Sequence, residues 1–420
     1  MSKLEELIAR LCPDGVEYKE LGELFRTKNG YTPSKSNKEY WENGNIPWFR
    51  MEDIRQNGRI LSEATQKVTK DAIKGELFPA NSIIVATSAT IGEHALITVP
   101  SIANQRFTYL ILKNDYKDKF IIKFLYYCCY NLDTYCKQCL NQGNFASVDM
   151  KKFERFKFPV PPLEVQREIV HILDSFTLLT AELTAELAAR QKQYEFYRDM
   201  LLTFDDVRAG GTNVECLEYQ YVPLGSISTI ARGASPRPIK NFITDSLEGV
   251  NWIKIGDVKA GSKYITETAE RITREGAKKS RLVKKGDFVL SNSMSFGRPY
   301  IMKIDGCIHD GWLSISDFSH YFLPDFLYHL LNSAIYQSIM RQKASFGGAV
   351  QNLNSDIIKG ILVPMVPLSE QQRIVDILDR FDALCNDITS GLPAEIEARK
   401  KQYEYYRDKL LTFKELKKEA

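Results

Sequence analysis

The sequence predicts an α+β protein: two mixed α/β domains separated by two long antiparallel helices with coiled-coil-like seams, related by a pseudo-two-fold that comes from internal duplication. Three observations predict it. The chain repeats itself at a nearly constant offset. The best-matched repeats carry apolar residues at steps of three and four over about 40 residues. The weakly matched halves between them mix short β-branched and aromatic runs, such as "NSIIVATSA" and "RFTYLILK", with helical stretches.

The duplication fixes the order domain, helix, domain, helix. "QREIVHILDSF" at 166–176 answers "QQRIVDILDRF" at 371–381, an offset of 205 residues. "ARQKQYEFYRDMLLTF" at 189–204 answers "ARKKQYEYYRDKLLTF" at 398–413, an offset of 209, so the second copy holds four extra residues near Ser390-Gly391-Leu392-Pro393. Weaker matches are "IPWFRMEDI" (46–54) with "VNWIKIGDV" (250–258) and "EYKELGEL" (17–24) with "QYVPLGSI" (220–227). The reading gives an N-terminal segment and first domain at 1–158, a central spacer helix at 159–210, a second domain at 211–364 and a distal spacer helix at 365–420.

In the first helix the apolar row is Ile169, Ile172, Phe176, Leu179, Leu183, Leu187, Tyr194, Tyr197, Leu201 and Phe204. The second row is Ile374, Ile377, Phe381, Leu384, Ile388, Leu392, Ile396, Tyr403, Tyr406, Leu410 and Phe413. Such spacing is the seam of a coiled coil or bundle, and extra steps of four lengthen it while keeping its face. "TAELTAEL" at 180–187 is a perfect tandem of one such unit. Pro393 lacks a backbone donor and is expected to kink or restart the second helix. About 40 residues span about 60 Å, enough for one helix to leave a domain and the other to return. The plainer alternative is a helical hairpin that only holds two domains together.

The composition is that of a folded globular protein: 420 residues, 44% apolar, 26% charged, net charge +3. No run of 18 apolar residues points to a membrane span. "MSKLEELIARLCPDG" is charged and amphipathic, unlike a secretory signal. Eight cysteines then read as reduced thiols, and the expected compartment is the cytoplasm. With so small a net charge, any nucleic-acid surface must be local or shared with partners.

Base reading needs Arg, Lys, Asn, Gln or Ser on exposed turns. The first domain offers "TSATIGEH" (87–94), "ANQRF" (103–107) and "NQGNFASVD" (141–149), with Gln105, Arg106, Gln142 and Asn144 as candidate readers. Their counterparts are "SNSMSFGR" (291–298), "CIHDGW" (307–312) and "SFGGAVQNLN" (345–354), with Asn292, Arg298, His309 and Gln351. His309-Asp310 stands where the first copy has Asn104-Gln105, which fits a variable reader better than a catalytic pair. The stretch 263–285 holds eight basic residues against three acidic ones, and Lys278, Lys279 and Arg281 are candidate phosphate contacts, the alternative being an ordinary solvated face. Trp48 and Trp252 lie at matching positions in apolar runs and are expected in the cores.

Catalytic chemistry is not apparent. There is no G-x-x-x-x-G-K-[ST] loop and no H-E-x-x-H helix. "VPPLE" at 160–164 has the double proline of an amino-methyltransferase motif without its polar and aromatic flanks or a glycine-rich cofactor turn. Asp14, Glu17 and Lys19 are too close together for a nuclease hairpin, and Cys136-x-x-Cys139 has Arg341 and Ala344 in its place in the second copy. The expectation is no catalytic residue, no metal site and no cofactor in this chain.

Together, the two dissimilar domains, "PPLEVQREIV" and "PLSEQQRIV" at the helix starts, "QYEFYRD" and "QYEYYRD" near their ends, and the TAEL tandem resemble the specificity subunit of a type I restriction-modification system, most closely the IC group. The resemblance covers essentially the whole chain. It implies two target recognition domains, each reading one half of an asymmetric bipartite site in double-stranded DNA, with helices as spacers. It implies docking of two modification subunits, which carry S-adenosylmethionine and methylate adenine, and of restriction (translocase) subunits that use ATP and Mg²⁺ in phage defence. The spacer and docking positions are then Thr180, Leu183, Thr184, Leu187, Gln193, Tyr194, Tyr197 and Arg198, with Gln402, Tyr403, Tyr406 and Arg407. The alternative is a self-contained DNA methyltransferase or nuclease with a divergent active site.

Overall fold

A computed structural model describes residues 3–141, 146–204, 219–258, 262–292, 296–344, 353–386 and 390–416. The chain divides into two compact units, Met1–Glu182 with Glu397–Ala420 and Leu183–Ile396. The division falls inside the Thr-Ala-Glu-Leu tandem.

The first unit is built on a five-stranded mixed sheet in the order Phe25–Asn29, Phe107–Leu112, Ser82–Ala86, His94–Ile97, Ile60–Leu61. Ser82–Ala86 is buried along its whole length, as a continuous apolar run in a covered strand should be. A three-stranded sheet (Lys67–Val68, Ile46–Phe49, Ile102–Ala103) and an antiparallel pair (Glu17–Glu20 with Lys157–Val160) complete it. Helix Ile122–Gln138 closes the core, in which Cys128, Cys129 and Cys136 are buried as small apolar side chains with raised thiol pKa. Among the described residues, no group of three or more His, Cys, Asp or Glu is placed to hold a metal.

The second unit repeats this plan. One five-stranded sheet runs Thr229–Arg232, Trp312–Ser316, Phe288–Ser291, Pro299–Met302, Tyr264–Ile265, strand for strand the same order, and the counterpart of the three-stranded sheet is here widened to five strands (Ile243–Thr244, Glu270–Ile272, Val250–Ile253, Gly306–Ile308, Arg281–Val283). Tyr221–Pro223 pairs antiparallel with Leu362–Pro364, as Glu17–Glu20 pairs with Lys157–Val160. Trp48 and Trp252 are both 3% exposed, and each starts a parallel pairing, with Ile102 and Cys307 respectively. Both are core residues, as their apolar surroundings predict.

Leu163–Leu201 forms one helix of 39 residues. The distal spacer is in two pieces, Leu368–Asn386 and Leu392–Leu410, and Pro393 lies in the first turn of the second piece, where a missing donor costs nothing. Ile388 lies outside the described residues. In the first unit, Val165, Ile169 and Leu173 at the start of the long helix share the core with Leu411 at the end of the distal one, so the two run in opposite directions there. Phe176 stacks on Tyr406, centroids 5.7 Å apart and planes at 22°. The second unit uses the matching residues with roles exchanged: Tyr197 stacks on Phe381 at 5.6 Å and 26°. Leu179 and Leu384 stay exposed, at 37% and 39%, so the apolar row is thinner in mid-helix than its periodicity predicts.

Each domain is fastened to its helix by a buried glutamine that begins the duplicated motif. Gln166 accepts from Ile121 N–H at 2.9 Å and donates to the carbonyls of Lys119 and Pro161 at 2.9 and 2.8 Å. Gln371 accepts from Leu323 N–H at 2.9 Å and donates to those of Tyr321 and Val366 at 2.8 and 2.7 Å. In the second unit a further polar cluster joins domain to helix. Lys263 Nζ lies 2.6 Å from Asp325 and 2.9 Å from Asp379. His329 Nε2–H donates to Asp379 at 2.7 Å, and Tyr194 O–H faces His329 Nδ1 at 3.3 Å. Lys263, first of the eight basic residues in 263–285, is thus 8% exposed and structural, because two carboxylates compensate its burial.

Candidate nucleic-acid interface

At one end of each of the two matched sheets, those starting at Phe25–Asn29 and Thr229–Arg232, three loops are tied together by backbone bonds that recur in both units. The first loop follows the sheet's edge strand. Gly30 N–H donates to Phe107 O at 2.8 Å and Tyr31 N–H to Ala103 O at 2.7 Å. Gly233 N–H donates to Trp312 O at 2.9 Å and Ala234 N–H to Ile308 O at 3.1 Å. A side chain at Gly30 or Gly233 would collide with the carbonyl of Asn104 or of His309, so the loops touch backbone to backbone.

The second loop is the tight turn 104–106 or 309–311. Phe107 N–H closes on Asn104 O at 3.2 Å, and Trp312 N–H on His309 O at 3.1 Å. The third follows the central strand. Gly92 and Gly297, with φ of 82° and 69°, donate back to Ala86 O and Ser291 O. Thr87 N–H binds Arg106 O at 3.0 Å and Thr87 O receives Val148 N–H at 2.9 Å; Asn292 N–H binds Gly311 O and Asn292 O receives Leu353 N–H, each at 3.1 Å.

On this common frame the candidate readers have different fates. Gln105 and Arg106 are exposed at the first turn. Asn292 is 3% exposed, and its amide donates to Asp310 O at 3.0 Å, so it supports the turn from beneath and offers no edge outward. His309 is half-buried, and Nδ1 accepts from Gly311 N–H at 2.7 Å. Burial lowers its pKa, and Lys254 pushes the same way. Both are candidate base readers, and in this structure both side chains bond to the turn. Arg298 is half-buried with its guanidinium 5.5 Å from the Tyr300 ring. Gln142, Asn144 and Gln351 lie outside the described residues.

Lys278, Lys279 and Arg281 are exposed, on and just after the short helix Arg274–Lys278. Lys279 reaches Glu275 at 3.3 Å and lies over the Phe242 ring, while Arg281 Nε donates to Arg232 O at 3.5 Å. Sequence reasoning missed the loops at 30–33 and 233–236. Their shared signal, "GYTP" and "GASP" at an offset of 203, was legible.

Most of the candidate docking positions on the helices are used internally. Tyr194 is buried, Tyr197 and Tyr406 are stacked as above, and Tyr403 lies against Phe176 at 6.4 Å. Arg198 lies over Tyr194, and Arg407 over Tyr130 and Tyr403. Gln193 and Gln402 accept from Arg190 and Arg399 at 3.0 and 2.9 Å. In the tandem, Leu183 and Leu187 are half-buried and Thr184 is exposed, while Thr180 O–H returns to Phe176 O at 2.9 Å. The large aromatic side chains most exposed on these helices are Phe196 and Tyr405, 64% and 63% exposed and equivalent under the duplication, and Leu178 on the first helix is exposed to a similar degree. Among the described residues, no helix is long and apolar enough to cross a membrane.

Comparison with known proteins agrees with this duplicated plan. The family model for the type I restriction modification DNA specificity domain matches twice, over residues 13–190 and 217–398. The chain is 40% identical over 403 residues to the Escherichia coli type I restriction enzyme EcoprrI specificity subunit, covering 93% of each. It is 34% identical over 315 residues to the EcoR124I/EcoR124II specificity subunit of the same species, covering 70% of this chain and 72% of that one. In fold it is similar to a chain solved in a study of type I R-M complex assembly (TM-score 0.66, 17% identity, 96% and 98% covered). It is also similar to the HsdS subunit from Thermoanaerobacter tengcongensis (TM-score 0.55, 18% identity, 96% and 97% covered). The chain therefore belongs to the type I restriction-modification DNA specificity family: it is the specificity subunit, with two target recognition domains, and the component that selects DNA rather than one that catalyses.

Proposed function

We propose that the domains at residues 1–158 and 211–364 each read one half of an asymmetric bipartite DNA sequence, and that the spacer helices set the number of base pairs between the halves. One observation carries this reading: the same backbone frame holds matching turns in both units but presents different side chains on them, Gln105-Arg106 against Asp310-Gly311. A constant frame with variable tips is what two readers of unlike sequences need, since frame bonds fix register and tip chemistry selects bases. Lys278, Lys279 and Arg281 supply phosphate contacts beside the second reader.

Two modification subunits, carrying S-adenosylmethionine, dock on the duplicated helices, and restriction subunits using ATP and Mg²⁺ join them. Phe196 and Tyr405 fit such docking, because two identical partners need two equivalent exposed contacts. The TAEL tandem and the "QYEFYRD" and "QYEYYRD" motifs support an IC-like assembly, working in the cytoplasm. The test is to exchange residues 12–158 for the corresponding domain of another family member and sequence the methylated motif in cells that carry the modification subunit. One half-site should change and the other stay the same; a change in both would overturn the assignment of one half-site per domain.

A further inference from the structure

The turns at 104–106 and 309–311 each divide their work between two adjacent side chains. The first shapes the turn: Asn104 Oδ1 accepts from Arg106 N–H at 3.0 Å, and His309 Nδ1 from Gly311 N–H at 2.7 Å. The second stands at the tip and is gripped from one side by a hydroxyl of the neighbouring loop. Thr32 O–H donates to Gln105 Oε1. Ser235 O–H donates to Asp310 Oδ1 at 2.7 Å. Thr32 and Ser235 each stand two residues after the loop's contact glycine and just before a proline. The Asp310 backbone is held as well, its carbonyl accepting from Arg232 Nε at 3.1 Å and Asn292 Nδ2 at 3.0 Å.

We propose that Gln105 and Asp310 are the matched specificity residues of the two domains, Gln105 selecting adenine and Asp310 selecting cytosine, with Thr32 and Ser235 as the positioning residues that aim them. The inference rests on the two-reader function above. Thr32 occupies one lone pair of the Gln105 carbonyl and fixes the plane of the amide. A second lone pair and both amide hydrogens remain, side by side. That donor–acceptor pair matches the N7 and N6 edge of adenine in the major groove. Asp310 is acceptor-only, its side chain 47% exposed, with Arg237 Nη2 3.8 Å from Oδ2. A carboxylate is repelled by phosphates and by the N7 acceptor beside the adenine amino group, so the N4 amino group of cytosine is its fitting partner. His309, the other polar side chain of that turn, is withdrawn into the scaffold.

The experiment uses the full chain in complex with its modification subunit and selects bound duplexes from a library randomised in both half-sites. Wild type should show one adenine position in one half-site that Gln105→Glu converts to cytosine. It should show one cytosine position in the other that Asp310→Asn converts to adenine. Thr32→Val and Ser235→Ala should keep the letters and lower the preference at those single positions about fivefold, the worth of one hydrogen bond. A wild-type complex without bipartite preference defeats the two-reader function itself. Bipartite preference that none of the four variants moves, or that each moves in both halves, defeats this inference alone. If the charge-changing variants bind nothing, Thr32→Val and Ser235→Ala decide: unchanged preference at the two positions overturns it.

Discussion

Inserting one more Thr-Ala-Glu-Leu after Leu187 is expected to lengthen the gap between half-sites by one base pair and leave their letters alone. The helix Leu163–Leu201 is unbroken through the tandem, and the two units divide between Glu182 and Leu183. Four residues add about 6 Å of rise and, at about 3.6 residues per turn, about 40° beyond a full turn. One base pair of DNA advances about 3.4 Å and turns about 34–36°. Translation alone would allow nearly two base pairs; rotation matches one, and a reading turn must meet its groove at the right angle, so rotation decides. The cost in folding is small, because the insert repeats a unit whose leucines, Leu183 and Leu187, are only half-buried. A single inserted alanine rotates everything beyond it by about 100° and should abolish methylation at the motif. The assay is sequencing of methylated adenines in cells carrying each variant. A four-residue insert that modifies the original spacer, with the original half-sites, would refute the ruler.

Three further outcomes follow from the same geometry. The purified chain alone should transfer no methyl group and cut no DNA; detectable transfer from labelled S-adenosylmethionine without the modification subunit would contradict the specificity role. Gln166→Leu and Gln371→Leu each strand one buried and two part-buried backbone groups and should lower stability by about 2–4 kcal/mol in urea unfolding, with a loss below about 1 kcal/mol counting against the clamp. Burial alone would raise the Asp379 carboxyl, but hydrogen bonds from His329 and Lys263 outweigh it and hold it at about 2. Its folded pKa is depressed, so its contribution is present above pH about 4 and is lost as pH falls towards 2. Asp379→Asn should flatten the pH dependence of the unfolding midpoint in that window and cost about 1 kcal/mol at neutral pH, discounted for partial exposure; an unchanged acid limb would contradict the network.

Much of the fold was legible because the chain states it twice. The two apolar rows predict the helices, Pro393 marks where the second one restarts, and matched tryptophans mark matched cores. The site was legible only as loops. Asn292 and His309 have the right chemistry for base reading, but a sequence cannot show that one amide lies beneath Asp310 and one imidazole closes a turn. Lys263 looked like part of a basic surface because its partner Asp379 is 116 residues away. Motif identity alone does not tell an inward helix tyrosine from an outward one; in each "QYE[FY]YRD" copy the first tyrosine packs inward while Phe196 or Tyr405 faces out.

The division of labour within each turn explains how one scaffold serves two unlike half-sites. Backbone hydrogen bonds are indifferent to side-chain identity, so a frame made of them tolerates any residue at its tips. The frame closes with glycines where loops touch, and with one short polar side chain, Asn104 or His309, that satisfies the turn's own N–H. Those positions cannot vary freely without opening the turn. The side chains of Gln105 and Asp310 are held by Thr32 and Ser235, while the frame itself uses the backbone of the turn, so on the proposal above their replacement should change what is read while the sheet beneath stays folded. The hydroxyls of Thr32 and Ser235 give orientation without rigid packing, because a rotatable O–H donates equally well to an amide carbonyl or a carboxylate. A new specificity therefore needs a change at the tip and not a new domain. On that proposal, a fixed frame with a changeable tip lets the two domains read different bases while they keep the same strand order.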